Sequence, residues 1–247
     1  MDGMIFISSS GAGQMLQAQA VHANNLANVN TTGFRADRIQ FVSVPTVIDE
    51  NTLDSKTYAY SVEPRPSFEQ GATVPTQRDL DIAIQGDGWI AVTARDGSES
   101  YTRNGNLNVS VDGILTTGHD YPVLGSGGEI SIPPYHKVDI GSDGTISIIP
   151  LVGNNNQPVI LDRIKLVKPE HSDLYKTKDG LFKVKGNEAD ADADVRVVTG
   201  YLEGSNVNPV ESLTNMISIA RQYEMQMKMI NFAHENDQSL QQILTIA

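Results

Sequence analysis

Apolar residues recur every three or four positions at both ends of this chain and every second position through its middle. The C-terminal stretch is the clearest. Val210, Leu213, Ile217, Ala220, Met227, Ile230, Ala233, Leu240 and Leu244 follow the helical period, with no Gly or Pro after Pro209. These steps predict a long helix with a heptad-like apolar seam. Its start is well marked. Asn208 suits an N-cap, Pro209 suits the first helical position, and Glu211 falls in the first turn. Such a helix would run roughly 55 Å. That is too long to wrap on a core of this size, so it needs another long helix or other chains beside it.

A second seam lies at the N-terminus: Ile5, Ser9, Ala12, Leu16, Ala20 (or Gln19), Ala23 and Leu26. The segment carries little charge and many small residues. Gly11 and Gly13 each weaken a helix by about 1 kcal/mol relative to Ala, so the helix is marginal alone. Two readings fit the pattern: a helical hairpin tucked onto a monomer, or an assembly element that orders when subunits pack. Asn28, Asn30 and Gly33 are stop signals, and Phe34 would anchor the exit on something apolar.

Between residues 36 and 75 no period persists. Pro45, Pro64, Pro66 and Pro75 interrupt it, which predicts an extended segment with short strands over Phe41–Val44 and Lys56–Val62. From Thr76 the period becomes two. Leu80, Ile82 and Ile84 alternate with Asp81, Ala83 and Gln85, and further strands are expected as far as Val159–Val167, Leu181–Val184 and Val195–Tyr201. Asp-Gly recurs at 87–88, 96–97, 112–113, 143–144 and 179–180, a hairpin signal because both residues tolerate positive φ. An antiparallel β domain with one packed face and wet loops is expected.

Composition narrows the function. The chain has 247 residues, a net charge of −12 and no cysteine. Mean hydropathy is −0.25 and the isoelectric point is near 4.7. No basic run exists to neutralise phosphates, which argues against nucleic acid and anionic membrane surfaces. No apolar run is long enough to span a bilayer, so no membrane insertion is expected. Met1-Asp2-Gly3 lacks a basic start, and Ser8–Gly13 breaks any apolar core of a leader, so no cleaved signal peptide is expected.

Candidate chemistry is thin. Asp190, Asp192 and Asp194 imitate the start of a calcium loop, but Val195 and Tyr201 stand where that loop needs Gly and Glu. The five histidines show no paired ligand spacing. His119-Asp120 lacks a Gly-x-Ser-x-Gly partner. Asp79, Asp81, Asp87 and Glu99 are the carboxylates a carbohydrate hydrolase could use, yet they read as turn and exposed-face residues. Met216, Met225, Met227 and Met229 lie round one helix, as in a buried core helix or a subunit packed on several sides. No catalytic, cofactor-binding or metal-binding residue is assigned, and no cofactor is expected.

Two segments near opposite ends carry a specific resemblance. Asn24-Asn25-Leu26-Ala27-Asn28-Val29-Asn30-Thr31-Thr32-Gly33-Phe34 and Glu203-Gly204-Ser205-Asn206-Val207-Asn208-Pro209-Val210-Glu211 resemble the two terminal signatures of the bacterial flagellar rod and hook proteins. Asp79–Trp89 and Tyr101–Leu107 are similar to further family segments. Pro209 and Ala220–Lys228 resemble the proximal-rod members more than the distal-rod or hook members. One departure is Gly118-His119-Asp120-Tyr121-Pro122-Val123, where the family usually has Asp-Gly before this position.

The expected fold is therefore α+β, with long N- and C-terminal helices paired as an antiparallel coiled coil and an antiparallel β-rich middle domain. Expected segments are an N-terminal rod-core helix at 1–35, an extended contact segment at 36–75, a β-rich domain at 76–203, and a C-terminal rod-core helix at 204–247. The resemblance implies a structural, non-enzymatic subunit of the flagellar proximal rod in the basal body, within the periplasm. It would assemble into a tubular drive shaft that transmits torque and encloses the export channel. Implied partners are other rod proteins, copies of itself in a helical tube, and the export apparatus. A distal-rod or hook-type subunit is the alternative within the family. Another appendage module and a peptidoglycan-acting enzyme are the alternatives outside it. The expected assembly interface comprises Ile5, Ala12, Leu16, Ala23, Leu26, Asn28, Gly33, Phe34, Asn206, Val210, Leu213, Ile217, Ala220, Met227, Ile230 and Leu244.

Ordering a residue costs about 1–2 kcal/mol, and small or polar seam residues such as Gln17, Gln19 and Asn24 return little apolar area. In purified monomer, amides of residues 5–28 and 210–244 should therefore exchange with deuterium faster than those of the strands. Equal protection in both regions would contradict this.

Overall fold

The computed structural model describes residues 2–46, 56–151 and 157–246. They fall into two compact units. One holds residues 1–27, 37–67 and 208–247, and the other holds 28–36 and 68–207.

The first unit contains the two helices and one hairpin. Helix α1 spans Asp2–Ala27 and helix α2 spans Pro209–Ile246. Asn208 caps α2 as its chemistry demands: its Oδ1 accepts from the N–H groups of Val210 (3.1 Å) and Glu211 (3.3 Å). Strands β1 (Asp37–Thr46) and β2 (Lys56–Pro66) pair antiparallel, and both pack on α1. Asn25 ties the helix to β1 from both sides. Its Nδ2 donates to the Asp37 carbonyl (2.8 Å), and its Oδ1 accepts from the Asp37 N–H (2.9 Å).

The α+β class stands, but the expected antiparallel coiled coil does not. One helix forms at each end of the chain, and the two do pack together. Of the expected seam, however, only Ala12 and Ala233 are buried among the described side chains. Leu16, Ala23, Val210, Leu213, Ile217 and Met227 are exposed. The buried residues are Ser8, Gly11, Ala12, Ala18 and Asn25 on α1, with Ser212 and Ala233 on α2. A Cβ on Gly11 would sit 3.3 Å from the Gln226 side chain. Small groups lie where backbones come close, and Leu16, Val210, Leu213 and Ile217 stay exposed. A seam read from large apolar residues therefore points to the wrong face.

The second unit is all strand and loop. Its strands are β3 (Thr73–Pro75), β4 (Ile82–Gln85), β5 (Trp89–Thr93), β6 (Glu99–Thr102), β7 (Leu107–Val109), β8 (Leu115–Thr117), β9 (Leu124–Gly125) and β10 (Gly128–Glu129). These are followed by β11 (Tyr135–Ile140), β12 (Thr145–Pro150), β13 (Val159–Arg163), β14 (Leu166–Val167), β15 (Leu174–Lys176), β16 (Phe182–Val184), β17 (Arg196–Thr199) and β18 (Tyr201–Glu203). Five strands form a sheet in the order β14-β5-β6-β16-β15, three form β11-β12-β13, and the rest pair in twos. The single strand expected over Val159–Val167 is two strands in different sheets. The one expected over Val195–Tyr201 breaks at Gly200, whose φ is +78°.

Strand β5 corrects the expectation of one packed face. Ile90 and Val92 enter a large core with Ile82, Leu107, Leu115, Ile146 and Ile164. The alternate residues Trp89 and Ala91 enter a second core with Tyr101, Val167, Leu174 and Phe182. Alternation here sorts side chains between two cores rather than between core and water.

Four of the Asp-Gly pairs turn hairpins in one way. In the loops 94–98, 110–114, 141–145 and 177–181, the first N–H donates to the fifth carbonyl, and the glycine N–H donates to the first carbonyl. Glycine φ is +78° to +85° in each, and Asp φ is not positive. These are three-residue loops with one left-handed residue, not the two-residue turns that positive φ at both positions would make. Residues 117–121 repeat the pattern with Asp120 at the glycine position, at φ +61°. The Gly118-His119-Asp120 departure thus keeps the turn and places a strained residue in it. Asp120→Gly should raise stability by up to about 1 kcal/mol, read as a higher urea midpoint with unchanged slope.

Candidate functional site

Two features stand out, one in each unit. The first is the outward side of α2. At about 100° per residue, Ser212, Met216, Ile219, Tyr223, Gln226, Ile230 and Ala233 share one face, and these positions are buried or half-buried. Val210, Leu213, Ile217, Met225 and Phe232 fall on the opposite face, with exposures of 49–70%. The helix thus offers large apolar residues on the side away from its packed one. On α1, Phe6 and Leu16 are exposed as well. Five large apolar side chains along one helix face form an exposed apolar patch.

Other residues of the expected interface lie elsewhere. Ala12 is buried inside the helical unit, and Ile5, Leu26, Ala220 and Ile230 are half-buried there. The side chain of Leu244 lies outside the described residues. Asn28, Gly33, Phe34 and Asn206 belong to the other unit, where they lead into the second feature.

That feature is a buried ion cluster. The Glu203 carboxylate lies between two guanidinium groups. Its Oε1 is 2.8 Å from Arg35 Nη2, and its Oε2 is 3.0 Å from Arg103 Nη1. All three side chains are 3% exposed or less. Oε1 also accepts from the Gly71 N–H at 3.2 Å. Arg103 Nη2 donates to the Gly86 carbonyl (2.8 Å), and its guanidinium lies 5.4 Å from the Trp89 ring centre. Arg35 Nη1 donates to the Glu69 carbonyl. Burial lowers the pKa of both arginines, opposed by the attraction of Glu203. Losing one partner of such a cluster leaves charge uncompensated away from water, at a cost of about 3–5 kcal/mol.

Backbone bonds close the cluster. The Gly33 N–H donates to the Glu203 carbonyl (2.8 Å), and the Asn206 N–H to the Phe34 carbonyl (3.3 Å). Asn206 Oδ1 accepts from the Ala36 N–H (2.7 Å), and its Nδ2 donates to the Glu69 carbonyl (2.8 Å). Lys176 Nζ donates to the Arg35 carbonyl (2.8 Å) and sits 4.1 Å from the Phe34 ring centre. Gly33 has φ +70°, and a Cβ there would collide with the backbone of Arg103 and Asn104.

Among the described residues, no three His, Asp or Glu side chains are grouped to hold a metal. His119 lies 3.0 Å from Asn104 Nδ2. Asp81 pairs with Arg78, and Glu99 pairs with Lys165 and accepts from the Tyr101 hydroxyl. Asp192 and Asp194 are exposed, and Asp192 Oδ1 accepts from the Asp194 N–H.

Comparison with known proteins decides the family. Residues 6–35 match the family model described as flagella basal body rod protein. Residues 83–148 match the flagellar hook protein FlgE/F/G D1 domain, and 198–243 match the flagellar basal body rod FlgEFG protein C-terminal. The flagellar basal-body rod protein FlgF of Salmonella typhimurium is 41% identical over 254 residues, covering all of both chains. The Escherichia coli FlgF is 39% identical with the same coverage. A FlgG rod protein of Buchnera aphidicola is 31% identical over 97% of this chain and 98% of its own. The chain belongs to the flagellar basal-body rod family.

The local sequence pattern does not disclose the arginine–glutamate cluster. Glu203 and Arg103 sit inside quoted family segments, but nothing in the local pattern marks them as buried partners. The one available signal was indirect: arginine beside the Gly33-Phe34 exit, and glutamate at the end of a strand where exposed polar residues are usual. Gly33→Ala should lower stability by about 1–3 kcal/mol from φ alone, with the backbone collision adding to it. Urea denaturation of the full chain measures this, and a shift below experimental error would contradict the close approach.

Proposed function

We propose that this rod-family chain is a structural subunit of the proximal rod of the bacterial flagellum. The observation that carries the reading is the end-to-end identity with FlgF rod proteins from two organisms. The outward apolar face of α2 supports it physically. A helix apolar on both sides needs covering on both, and α1 covers only one.

Assembly runs through the terminal helices. Leu16, Ala23, Val210, Leu213, Ile217 and Met227 meet neighbouring rod proteins and copies of this chain in a helical tube. Ile5, Leu26, Ala220 and Ile230 border that contact. The tube transmits torque within the periplasm and encloses the channel for exported subunits. The chain reaches it through the flagellar export apparatus and performs no catalysis. A distal-rod or hook-type role is less supported, since the FlgG relative is the more distant of those compared.

Ile217 is 56% exposed, so Ile217→Asp should alter monomer stability by no more than about 0.5 kcal/mol. The variant should nevertheless be missing from purified hook–basal bodies by mass spectrometry, and cells carrying it should not swim. Normal swimming with normal incorporation would remove Ile217 from the interface. Absence of the unaltered chain from basal bodies would sink the rod reading itself.

A further inference from the structure

We propose that a cleft within the β unit binds a neutral sugar ring of an oligosaccharide. The cleft holds about 520 Å³, and its lining residues all belong to 70–86 and 198–201 of that unit. Small-molecule sites span roughly 300–1,000 Å³, so the size suits a ligand of this kind.

A corner in the chain shapes the cleft. Strands β4 and β17 pair, as do β3 and β18. Gly200 alone joins β17 to β18, whereas residues 76–81 join β3 to β4. The Gly200 N–H donates to the Asp81 carbonyl (2.7 Å), and the Gly200 carbonyl accepts from the N–H groups of Thr76 (2.8 Å) and Gln77 (3.2 Å). One residue thus faces a longer segment, and the ribbon bends there, with β18 lying against β4. Gly200 (φ +78°) and Gln77 (φ +59°) both take left-handed backbone. Gln77 does so at a cost that glycine avoids, and strain of this kind collects at functional sites.

Strand alternation supplies the floor. Ile82, Ile84 and Val197 enter the large core, so Ala83 and its cross-strand partner Val198 face the other way. Ala83 is small and buried, and with Val198 it forms the apolar base of the cleft. Gln70, Thr73, Gln85 and Tyr201 stand round that base, all at exposed positions.

The lining holds no charged side chain, so it suits an uncharged ligand. A carboxamide both donates and accepts, which matches the neighbouring hydroxyls of a sugar. Gln70 donates through Nε2 to the Gly86 carbonyl, which steadies the side chain and leaves Oε1 to accept. The Tyr201 ring, 39% exposed, offers a flat apolar face to the C–H side of a pyranose and a hydroxyl at its tip. An added peptide strand fits less well. Pro75 has no N–H to give at the edge of β3, and on β18 the Glu203 carbonyl is already taken by Gly33. The site binds without cleaving, because glycoside hydrolysis needs two facing carboxylates and none lines the cleft. This proposal stands apart from the rod reading and is tested without it.

Nuclear magnetic resonance on the ¹⁵N-labelled full chain tests the site, with chitotriose and maltotriose as probes. Amide shifts at 70–73, 83–86 and 198–201 should move saturably with at least one of them, with a Kd of about 1 mM. Gln85→Ala and Tyr201→Ala should each weaken that binding about tenfold. No saturable shift with either sugar up to about 20 mM overturns the proposal, as does binding that moves other amides or that survives either substitution unchanged. If Tyr201→Ala fails to fold, the unaltered chain decides: magnetisation transfer from the sugar ring protons to the Tyr201 ring supports the site, and its absence overturns it. Acetylated, amidated triglycine moving the same amides as tightly as the sugar also overturns it, in favour of a peptide ligand.

Discussion

Glu203 holds two arginines in a place with almost no access to water, and the β unit is closed around that arrangement. The carboxylate is short of charge by itself, since two guanidinium groups face it. Part of the remaining demand is met by backbone, as the carbonyls of Glu69 and Gly86 accept from the arginines. Such a cluster is weak evidence for stability, because desolvating three charges offsets much of their attraction. Its value is directional. It joins residues far apart in the chain at defined angles, which apolar contact does less sharply.

The helical unit follows the opposite economy. Its buried positions are Ser, Gly, Ala and Asn, which let backbones approach but release little apolar surface from water. Val210, Leu213, Ile217, Met225 and Phe232 of α2 lie on the other side. A chain built this way leaves part of its large apolar surface exposed.

The β unit shows how local chemistry and global packing divide the work. Each of four Asp-Gly pairs makes the same three-residue loop wherever adjacent strands continue the hairpin. Asp87-Gly88 does not, because β4 and β5 belong to different sheets and the chain must change direction between them. Asp120 takes a glycine's place in a fifth loop, which shows that the surrounding pairing dictates the backbone and the residue complies.

Much was legible in the residues themselves. The long C-terminal helix, its cap at Asn208, the stop after Ala27 and the strand-rich middle all depend on neighbours within a few positions, and local chemistry decides them. The terminal motifs led to the rod family for the same reason: they are contiguous. What the order of residues could not disclose was which helix face is inward. That depends on how closely two backbones approach, and Ser8, Gly11 and Ala18 become seam residues only once a second helix lies beside them. Nor could it disclose the two-sided burial of β5, whose alternate residues enter two separate clusters of buried side chains. Arg35, Arg103 and Glu203 are ordinary charged residues in sequence. Only the tertiary fold brings them together and removes the water, and that loss of water turns three surface-type side chains into a buried cluster.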